Sequence, residues 1–179
     1  GLMSYSDLSS YATTRTNPLS SKYRNFDIYA NHPPGGGVML LEMLNVLENF
    51  NLRDMTHNSS EYIRIVSETM KKATLDKEMF VGDPLFIDVP LEKLLSKEYA
   101  SEVSDKIKKN ERTFINRVTQ IEPKNTTHVS VIDQEGNCVT MTHSLGMPSG
   151  VITDGLGFMF NGCMAVFDPR PGRAGSVAP

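Results

Sequence analysis

Cysteine is scarce in this sequence, which has only Cys138 and Cys163 among its 179 residues. Two cysteines are too few for the disulfide framework that holds small secreted scaffolds together. Long apolar runs are missing too, since none approaches the roughly 18 residues of a transmembrane helix. The first six residues have neither the basic nor the apolar region of a signal peptide. The sequence therefore indicates no membrane partner.

Neither sign of charge dominates the sequence. Lysine and arginine together number 18 and aspartate and glutamate 21, which gives a formal net charge of −3. A nucleic-acid-binding surface usually needs a clear basic excess, so this balance indicates no nucleic-acid partner and favours a small polar substrate. Hydrophobic residues at 39% and charged residues at 22% are typical of a globular fold, and the length suits one domain or a large piece of one.

Helical patterns dominate the first two thirds of the chain. Residues 38–50 are apolar on nearly every side, which is typical of a helix buried on several sides. A second helix is predicted to begin near Asn58, where Asn58 can cap and Glu61 can complete a capping box. The residues expected to face the core along this helix are Tyr62, Ile65, Val66, Met70 and Ala73. Residues 91–107 predict one or two short amphipathic helices, and residues 108–125 an exposed connector.

Strand patterns dominate the last third of the chain. Apolar and polar residues alternate on both sides of a turn at residues 133–137, which predicts a β-hairpin over residues 126–144. Residues 158–160 predict a third strand in this region, and residues 146–149 a loop. Near the start of the chain, residues 26–30 predict a short strand. Helices followed by hairpin strands make the predicted fold class α+β.

Several common catalytic and cofactor motifs are absent from the sequence. There is no Walker loop, no dinucleotide-binding glycine fingerprint and no Gly-x-Ser-x-Gly elbow. The four histidines have no metal-ligand spacing with one another or with the cysteines, so no metal site is expected. The glycines at 35–37 precede a predicted helix and could cradle an anion, but a tight turn into a buried helix is the favoured interpretation.

The segment from Asn125 to Asn137 carries the strongest functional signal. Taken alone, it is a polar connector entering a strand, and its threonines are ordinary strand residues. It also resembles the start of the small subunit in the γ-glutamyltranspeptidase family, a branch of the N-terminal nucleophile hydrolases. The family pattern of Thr-Thr-His, a strand and Asp-x-x-Gly-Asn is matched here by Thr126, Thr127, His128, Asp133, Gly136 and Asn137. Further matches in the family's order include Tyr23, Arg24, Pro33, Pro34, Gly36, Gly37, Gly82, Asp83, Pro84, Ser149, Gly150, Asn161 and Phe167, so the resemblance covers nearly the whole chain.

The resemblance implies that the chain is processed. Members of the family are precursors that cut themselves before the nucleophilic threonine, and here the cut falls between Asn125 and Thr126. Residues 1–125 are then expected to be the C-terminal part of the large (α) subunit, and residues 126–179 the N-terminal part of the small (β) subunit. The implied fold is part of the four-layer αββα sandwich of the superfamily. Both ends of the sequence are expected to lie inside a longer precursor, which leaves the localisation open.

The resemblance also assigns chemistry to Thr126. After the cut, its α-amine, with a pKa of about 7.7–8.0, is a usable base that takes the proton from its own hydroxyl. Attack on an amide gives an acyl-enzyme, which water or an amine resolves. Ser144 stands where the family has a second hydroxyl that hydrogen-bonds the nucleophile, and a serine that simply ends a strand is an equal alternative. No metal or organic cofactor is implied.

The substrate-binding positions depart from the family pattern. Where members that bind a γ-glutamyl group carry an asparagine, a polar residue and an acid, this sequence has Gly146, Cys163 and Val166. An ammonium group buried beside Val166 would lose its counter-charge, which is unfavourable by several kcal/mol. The sequence therefore favours an acylase, or an amidase for a small acid such as oxamate. A true γ-glutamyltransferase or glutathione hydrolase and a non-catalytic homologue are the alternatives.

Two functional elements of the family have no counterpart within the sequence. The arginine that holds the substrate carboxylate lies upstream of the matched region, and the glycine pair of the oxyanion hole lies downstream. One oxyanion donor is typically worth about 10²–10³ in rate, so residues 1–179 alone are expected to be inactive. The expected partners are the remainder of the precursor and a small-molecule amide, with a homo-oligomer left open. Both cysteines are expected to be reduced, packed thiols, with Cys163 lining the pocket.

Overall fold

The computed structural model describes residues 4–115, 126–144, 146 and 148–163. The chain divides into two units, residues 1–114 and 115–179, and each is described by itself. The elements of the first unit are α1 (Tyr5–Ser10), β1 (Leu19–Tyr23), β2 (Phe26–Ala30), α2 (Gly37–Leu47), a 3-10 turn (Leu52–Asp54), α3 (Ser60–Phe80), α4 (Leu91–Leu94) and α5 (Lys97–Lys108). Those of the second unit are β3 (Thr126–Ile132), β4 (Cys138–Ser144), β5 (Pro148–Ile152) and β6 (Met159–Asn161).

A short hairpin leads into helix α2. Strands β1 and β2 pair antiparallel, with Leu19 opposite Ala30 at the open end. Gly37 begins α2 at a place where no side chain fits, because a Cβ there would press on the Asn31 carbonyl oxygen and lie 2.9 Å from the Ala30 Cβ. The glycines at 35–37 therefore form the tight entry into a buried helix that the sequence favoured.

Helix α2 is the centre of the first unit, because it packs against β1, α3 and α5. Val38, Leu41 and Val46 are almost fully buried, as predicted, whereas Leu40 is 45% exposed. The fully buried apolar side chains that surround α2 form two clusters, which include Leu19, Val81 and Leu94 in the first and Ile65, Ala100, Val103 and Ile107 in the second. Each large aliphatic side chain removed from water in this way stabilises the fold by about 1.5–3 kcal/mol.

Helix α3 begins one position later than the sequence predicted. Ser59, not Asn58, is the N-cap, since its backbone is extended and its hydroxyl accepts a hydrogen bond of 3.3 Å from the Tyr62 N–H. Asn58 has a φ of 57°, a left-handed conformation that asparagine tolerates and that an N-cap residue does not adopt. Met70, expected in the core, is 54% exposed. The buried residues of the helix are Ile65, Glu68, Thr69, Ala73 and Asp76.

Asn45 lies buried on α2 and joins three elements. Its amide nitrogen donates to the Leu95 carbonyl oxygen at 3.0 Å. Its amide oxygen accepts from the Ser21 hydroxyl and from the Lys97 ammonium group, both at 2.7 Å. Lys97 also donates to a Glu48 carboxylate oxygen at 2.6 Å, and this bond lowers the pKa of Glu48. The sequence pattern predicted an almost entirely apolar helix here, so this polar junction of β1, α2 and α5 was missed.

A second polar cluster is buried between α2, α3 and α5. Asp76 accepts a hydrogen bond of 2.8 Å from the Tyr99 hydroxyl and another from the Lys72 ammonium group. Glu42 is only 2% exposed and shares this cluster with Asp76. Burial, and then a hydrogen bond with Asp76 and its charge, raise the pKa of Glu42 to about 9. Glu42 is therefore protonated at neutral pH.

The predicted helices at 91–107 and the early strand are confirmed, whereas most of the predicted connector, residues 116–125, lies outside the described residues. Residues 91–107 form two helices, α4 and α5, and residues 26–30 form β2. Helix α1 and strand β1 were not predicted. No helix in the described part of the chain is both long and apolar enough to cross a bilayer.

The predicted hairpin over residues 126–144 is confirmed in the second unit as β3 paired with β4. Strands β5 and β6 form another antiparallel pair, with a register shift between Pro148 and Ile152. The loop predicted at 146–149 is wrong from Pro148 onward, because β5 begins there. The predicted third strand is β6, displaced by one residue to Met159–Asn161.

Candidate active site

Thr126 and Ser144 face each other at the open end of the β3–β4 hairpin. They form the last pair of the strand ladder, and their hydroxyl oxygens lie 3.1 Å apart. Residues directly opposite each other in an antiparallel pair project from the same face, so the register brings the two hydroxyls together. Both residues are exposed in this chain.

The turn at the other end of the hairpin sets that register. The Asp133 carboxylate accepts hydrogen bonds of 2.8 Å from the backbone N–H and from the side-chain amide of Asn137. These bonds, the side-chain one foremost, lower the pKa of Asp133. Gly136 has a φ of 86°, which glycine adopts without strain. A slip of one residue would turn one strand's side chains to the other face and separate Thr126 from Ser144.

Gly146 reaches back to Ser144 through its backbone. The Gly146 N–H donates a hydrogen bond of 3.1 Å to the Ser144 hydroxyl oxygen. Gly146 has a φ of 66°, again in the left-handed region that favours glycine. The structure therefore brings three of the predicted site residues together: Thr126, Ser144 and Gly146.

His128 continues the polar face that Thr126 begins. Its Nδ1 lies 2.8 Å from the Thr142 hydroxyl of β4, directly across the ladder. Its Nε2 lies 2.8 Å from the Thr140 hydroxyl and 3.2 Å from the Ser130 hydroxyl. The sequence interpretation matched His128 to the family but gave it no role. The sequence contained an indication of such a role, because strand alternation places His128 on the same face of the hairpin as Thr126.

The opposite face of the hairpin is apolar beyond the Thr127–His143 rung. Val129 pairs with Met141 and Val131 with Val139, and all four side chains are between 45% and 66% exposed. The face with Thr126 thus carries hydroxyl and imidazole groups as far as the Ser130–Thr140 rung, and the other face carries two aliphatic rungs and the polar Thr127–His143 rung. Antiparallel sheets commonly have one polar face and one apolar face in this way.

Of the other predicted site residues, the structure describes Cys163 alone. Cys163 is half-buried after β6, where its backbone N–H donates a hydrogen bond of 3.0 Å to the Asn161 side-chain oxygen. Asn125 and Val166 lie outside the described residues. The prediction of a packed thiol is wrong for Cys138, which is exposed because both faces of β4 are exposed. Within the described ranges, no group of three or more His, Cys, Asp and Glu side chains is placed to hold a metal ion.

The resemblance to the N-terminal nucleophile hydrolases implies a threonine that begins a strand beside a second hydroxyl, and Thr126 beside Ser144 has this arrangement. Comparison with protein families supplies the family. The model of the gamma-glutamyltranspeptidase family matches residues 1–178, and the chain belongs to this family. The resemblance predicted from the sequence is confirmed.

The curated relatives are proenzymes of two kinds. The chain is 32% identical to the glutathione hydrolase proenzyme of Escherichia coli (strain K12), over 96% of this chain and 31% of that protein. It is 34% identical to the acylase ACY 1 proenzyme of Pseudomonas sp. (strain V22), over 100% of this chain and 33% of that protein. The chain spans about a third of the length of these relatives. Members of the family are hydrolases and transferases made as proenzymes, which supports an enzymatic role.

Two solved structures resemble the chain. Cephalosporin acylase from Bacillus halodurans matches with a TM-score of 0.74 and 27% identity, over 100% of this chain and 32% of that one. The γ-glutamyltranspeptidase of Helicobacter pylori matches with a TM-score of 0.58 and 33% identity, over 69% of this chain and 35% of that one. These neighbours imply the N-terminal nucleophile hydrolase fold, and the described residues mix helix and strand as predicted. The four-layer order of the sandwich stays a prediction.

Proposed function

We propose that the chain is part of a self-processing amidohydrolase precursor in which Thr126 is the nucleophile. The observation that carries the proposal is the 3.1 Å separation of the Thr126 and Ser144 hydroxyl oxygens, at the first residue of a strand in a member of this family. The precursor is cut between Asn125 and Thr126, which divides the chain into residues 1–125 of the large subunit and 126–179 of the small subunit. The complete protein forms the four-layer αββα sandwich.

The cut gives Thr126 a free α-amine beside its hydroxyl group. Its new α-amine, with a pKa of about 7.7–8.0, accepts the proton of its hydroxyl directly or through a water. The threonine oxygen then bonds to the carbonyl carbon of the substrate amide, the carbon–nitrogen bond breaks, and the amine leaves with the proton. Water attacks the resulting ester, releases the carboxylic acid and restores the Thr126 hydroxyl. An amine in place of water makes the reaction a transfer.

Ser144 holds the nucleophile in place during these steps. Its hydroxyl lies within hydrogen-bond distance of the Thr126 hydroxyl and accepts from the Gly146 N–H at 3.1 Å. A backbone donor is rigid, so it limits the rotation of the Ser144 hydroxyl and, through it, of the nucleophile. This contact is what distinguishes Ser144 from a serine that merely ends a strand.

The substrate is an amide other than a γ-glutamyl one, either an acyl amide or the amide of a small acid. Three positions support this: Gly146 offers a backbone N–H but no side-chain amide, and Cys163 and Val166 offer no counter-charge for an ammonium group. Similarity to acylases over the whole chain points in the same direction. The alternative is a glutathione hydrolase or γ-glutamyltransferase with a changed pocket, which similarity to the Escherichia coli glutathione hydrolase proenzyme favours.

The remainder of the precursor is a necessary partner. The chain spans about a third of the relatives' length, and the family resemblance places the oxyanion-hole glycines and the substrate-carboxylate arginine outside the matched residues. Residues 1–179 alone are therefore expected to be inactive. Only self-cleavage of the precursor would exclude a non-catalytic homologue. The extent of this cleavage is therefore the first quantity to measure.

Mass spectrometry of the complete protein tests the proposal. Two fragments whose junction is Asn125–Thr126 are expected from the parent and a single uncut chain from Thr126→Ala. Thr126→Ser, which keeps a hydroxyl, is the matched control and is expected to process. An uncut parent chain would favour a non-catalytic homologue. Hydrolysis of γ-glutamyl-p-nitroanilide at rates above those for oxamate and simple acyl amides would favour the glutathione hydrolase alternative.

A further inference from the structure

We propose that His128 is a positioning residue for the Thr126–Ser144 pair. Its imidazole ties β3 to β4 beside that pair and thereby fixes the separation of the two hydroxyls. This inference rests on the proposed role of Thr126 as nucleophile.

The contacts of His128 reach both strands of the hairpin. Nδ1 lies 2.8 Å from the Thr142 hydroxyl and Nε2 lies 2.8 Å from the Thr140 hydroxyl, both on β4. Nε2 also lies 3.2 Å from the Ser130 hydroxyl on β3, and Ser130 donates to Thr140 at 3.1 Å. One ring therefore connects three hydroxyl groups across consecutive rungs of the ladder.

The Thr142 contact is the one that bears on the nucleophile. Thr142 precedes Ser144 by two positions on β4, as Thr126 precedes His128 on β3, so the two rungs are neighbours on one face. A bond across the His128–Thr142 rung limits twisting and sliding of the strands at the Thr126–Ser144 rung. The end of a two-stranded ribbon otherwise frays, because the last pair has support from one side only.

The chemistry of imidazole and hydroxyl suits a clamp that does not depend on charge. In each neutral tautomer one ring nitrogen donates and the other accepts, and a hydroxyl can take either role by rotating. The Nδ1 contact can be satisfied in either tautomer, whereas Nε2 has one bonding site for two hydroxyl groups, and Ser130 already donates its proton to Thr140. The opposite face has one imidazole–hydroxyl rung, Thr127 opposite His143, and the next rung on that face pairs Val129 with Met141, so the two consecutive polar rungs around His128 have no equivalent on that face of β3 and β4.

Variants with amide side chains test the contacts of the two ring nitrogens one at a time. Asparagine places a polar group near the position of Nδ1, and glutamine places one near the position of Nε2. His128→Asn therefore keeps a bond toward Thr142, whereas His128→Gln keeps one toward Thr140 and Ser130. If His128 acts through the rung next to the nucleophile, the asparagine variant retains more activity than the glutamine variant.

The test measures processing and steady-state kinetics of the complete protein for His128→Ala, His128→Asn and His128→Gln. His128→Ala is expected to lower kcat and the processing rate by about 10²-fold with KM unchanged, since misplacing a reacting group by about 1 Å has an effect of that size. His143→Asn is the matched control: it lies one position before Ser144 and faces the other side of the hairpin, opposite Thr127. It is expected to behave as the parent.

Each outcome decides a separate question. A parental kcat in His128→Ala, or a loss confined to KM, would overturn the positioning role and leave the proposed function intact. Processing and activity that survive Thr126→Ala would overturn the proposed function itself. If His128→Ala does not fold, the His128→Asn and His128→Gln variants still test the inference. Equal losses of activity in both variants would contradict action through Thr142. Higher activity in His128→Asn than in His128→Gln supports the inference.

Discussion

The Thr126 and Ser144 hydroxyl oxygens lie 3.1 Å apart across the last rung of the β3–β4 hairpin. The two residues are separated in sequence by the whole hairpin, and the turn held by Asp133 and Asn137 brings them together. The contact therefore depends on the strand register and on the hydroxyl groups themselves, and these two contributions can be separated by mutation.

Ser144→Ala is expected to lower kcat by about 10²-fold, because it removes one preorganised hydrogen-bonding group from the nucleophile. Ser144→Thr is the matched variant, since it keeps the hydroxyl on a side chain that strands accommodate. It is expected to retain most of the activity. The measurement is kcat on the preferred amide together with the rate of precursor cleavage. Equal activity in the parent and Ser144→Ala would mean that Ser144 only ends a strand.

The predictable part of this site is the part encoded by local periodicity. The alternation over residues 126–144 and the turn at 133–137 determine a hairpin, and the hairpin determines which residues face Thr126. The nucleophilic role of Thr126 was predicted from the family resemblance, because alternation alone does not indicate it. Asn125 and Val166 remain sequence-based predictions because they lie outside the described residues.

The unpredicted features depend on partners distant in sequence or on a single backbone angle. Glu42 and Asn45 are buried on a helix that reads as apolar, because Asp76 and Lys97 provide their partners from other helices. Ser59 displaces Asn58 as the N-cap because Asn58 has a positive φ, which composition does not reveal. The start of β5 overlaps the predicted loop at 146–149, and its first residue is a proline, which is ordinarily a turn residue.

Gly37→Ala is expected to destabilise the protein by about 1–3 kcal/mol, because the added methyl group overlaps the Asn31 carbonyl oxygen at the start of α2. Gly36→Ala is the matched control. A Cβ there meets nothing within 4 Å, and the residue has a φ of −75°, which alanine adopts without strain. Urea unfolding measures the free energy of unfolding of each variant. Similar values for the two variants would show that the entry into α2 relaxes easily.

The stability of the protein is expected to fall as the pH rises from about 4.5 toward 9, because Glu42 has a folded-state pKa of about 9 against an unfolded value of 4.5. A raised carboxyl pKa means that the folded state binds the proton more tightly. Its contribution is therefore fully present below the unfolded pKa and is lost as the pH rises through the folded pKa.

Glu42→Gln isolates this effect, since glutamine has the shape of the protonated acid and does not titrate. The variant is expected to show a weaker decline of unfolding free energy over the same pH range, measured by urea unfolding. Glu78→Gln, at an exposed position of the same helix as Asp76, is the control and is expected to leave the pH dependence unchanged. A parental pH profile in Glu42→Gln would assign the decline to other groups.

Val166→Asp is expected to raise kcat/KM for γ-glutamyl-p-nitroanilide by at least about 10-fold, because it supplies the counter-charge that a buried ammonium group requires. Val166→Asn is the matched control: it is polar but uncharged, so it is expected to gain much less. Adding Gly146→Asn is expected to raise the activity further, and asparagine tolerates the φ of 66° found at that position. The measurement is the release of p-nitroaniline by the processed protein. Equal gains in kcat/KM from the aspartate and asparagine variants would show that the substrate amine is recognised elsewhere. Rapid turnover of γ-glutamyl-p-nitroanilide by the parent would instead support the glutathione hydrolase alternative.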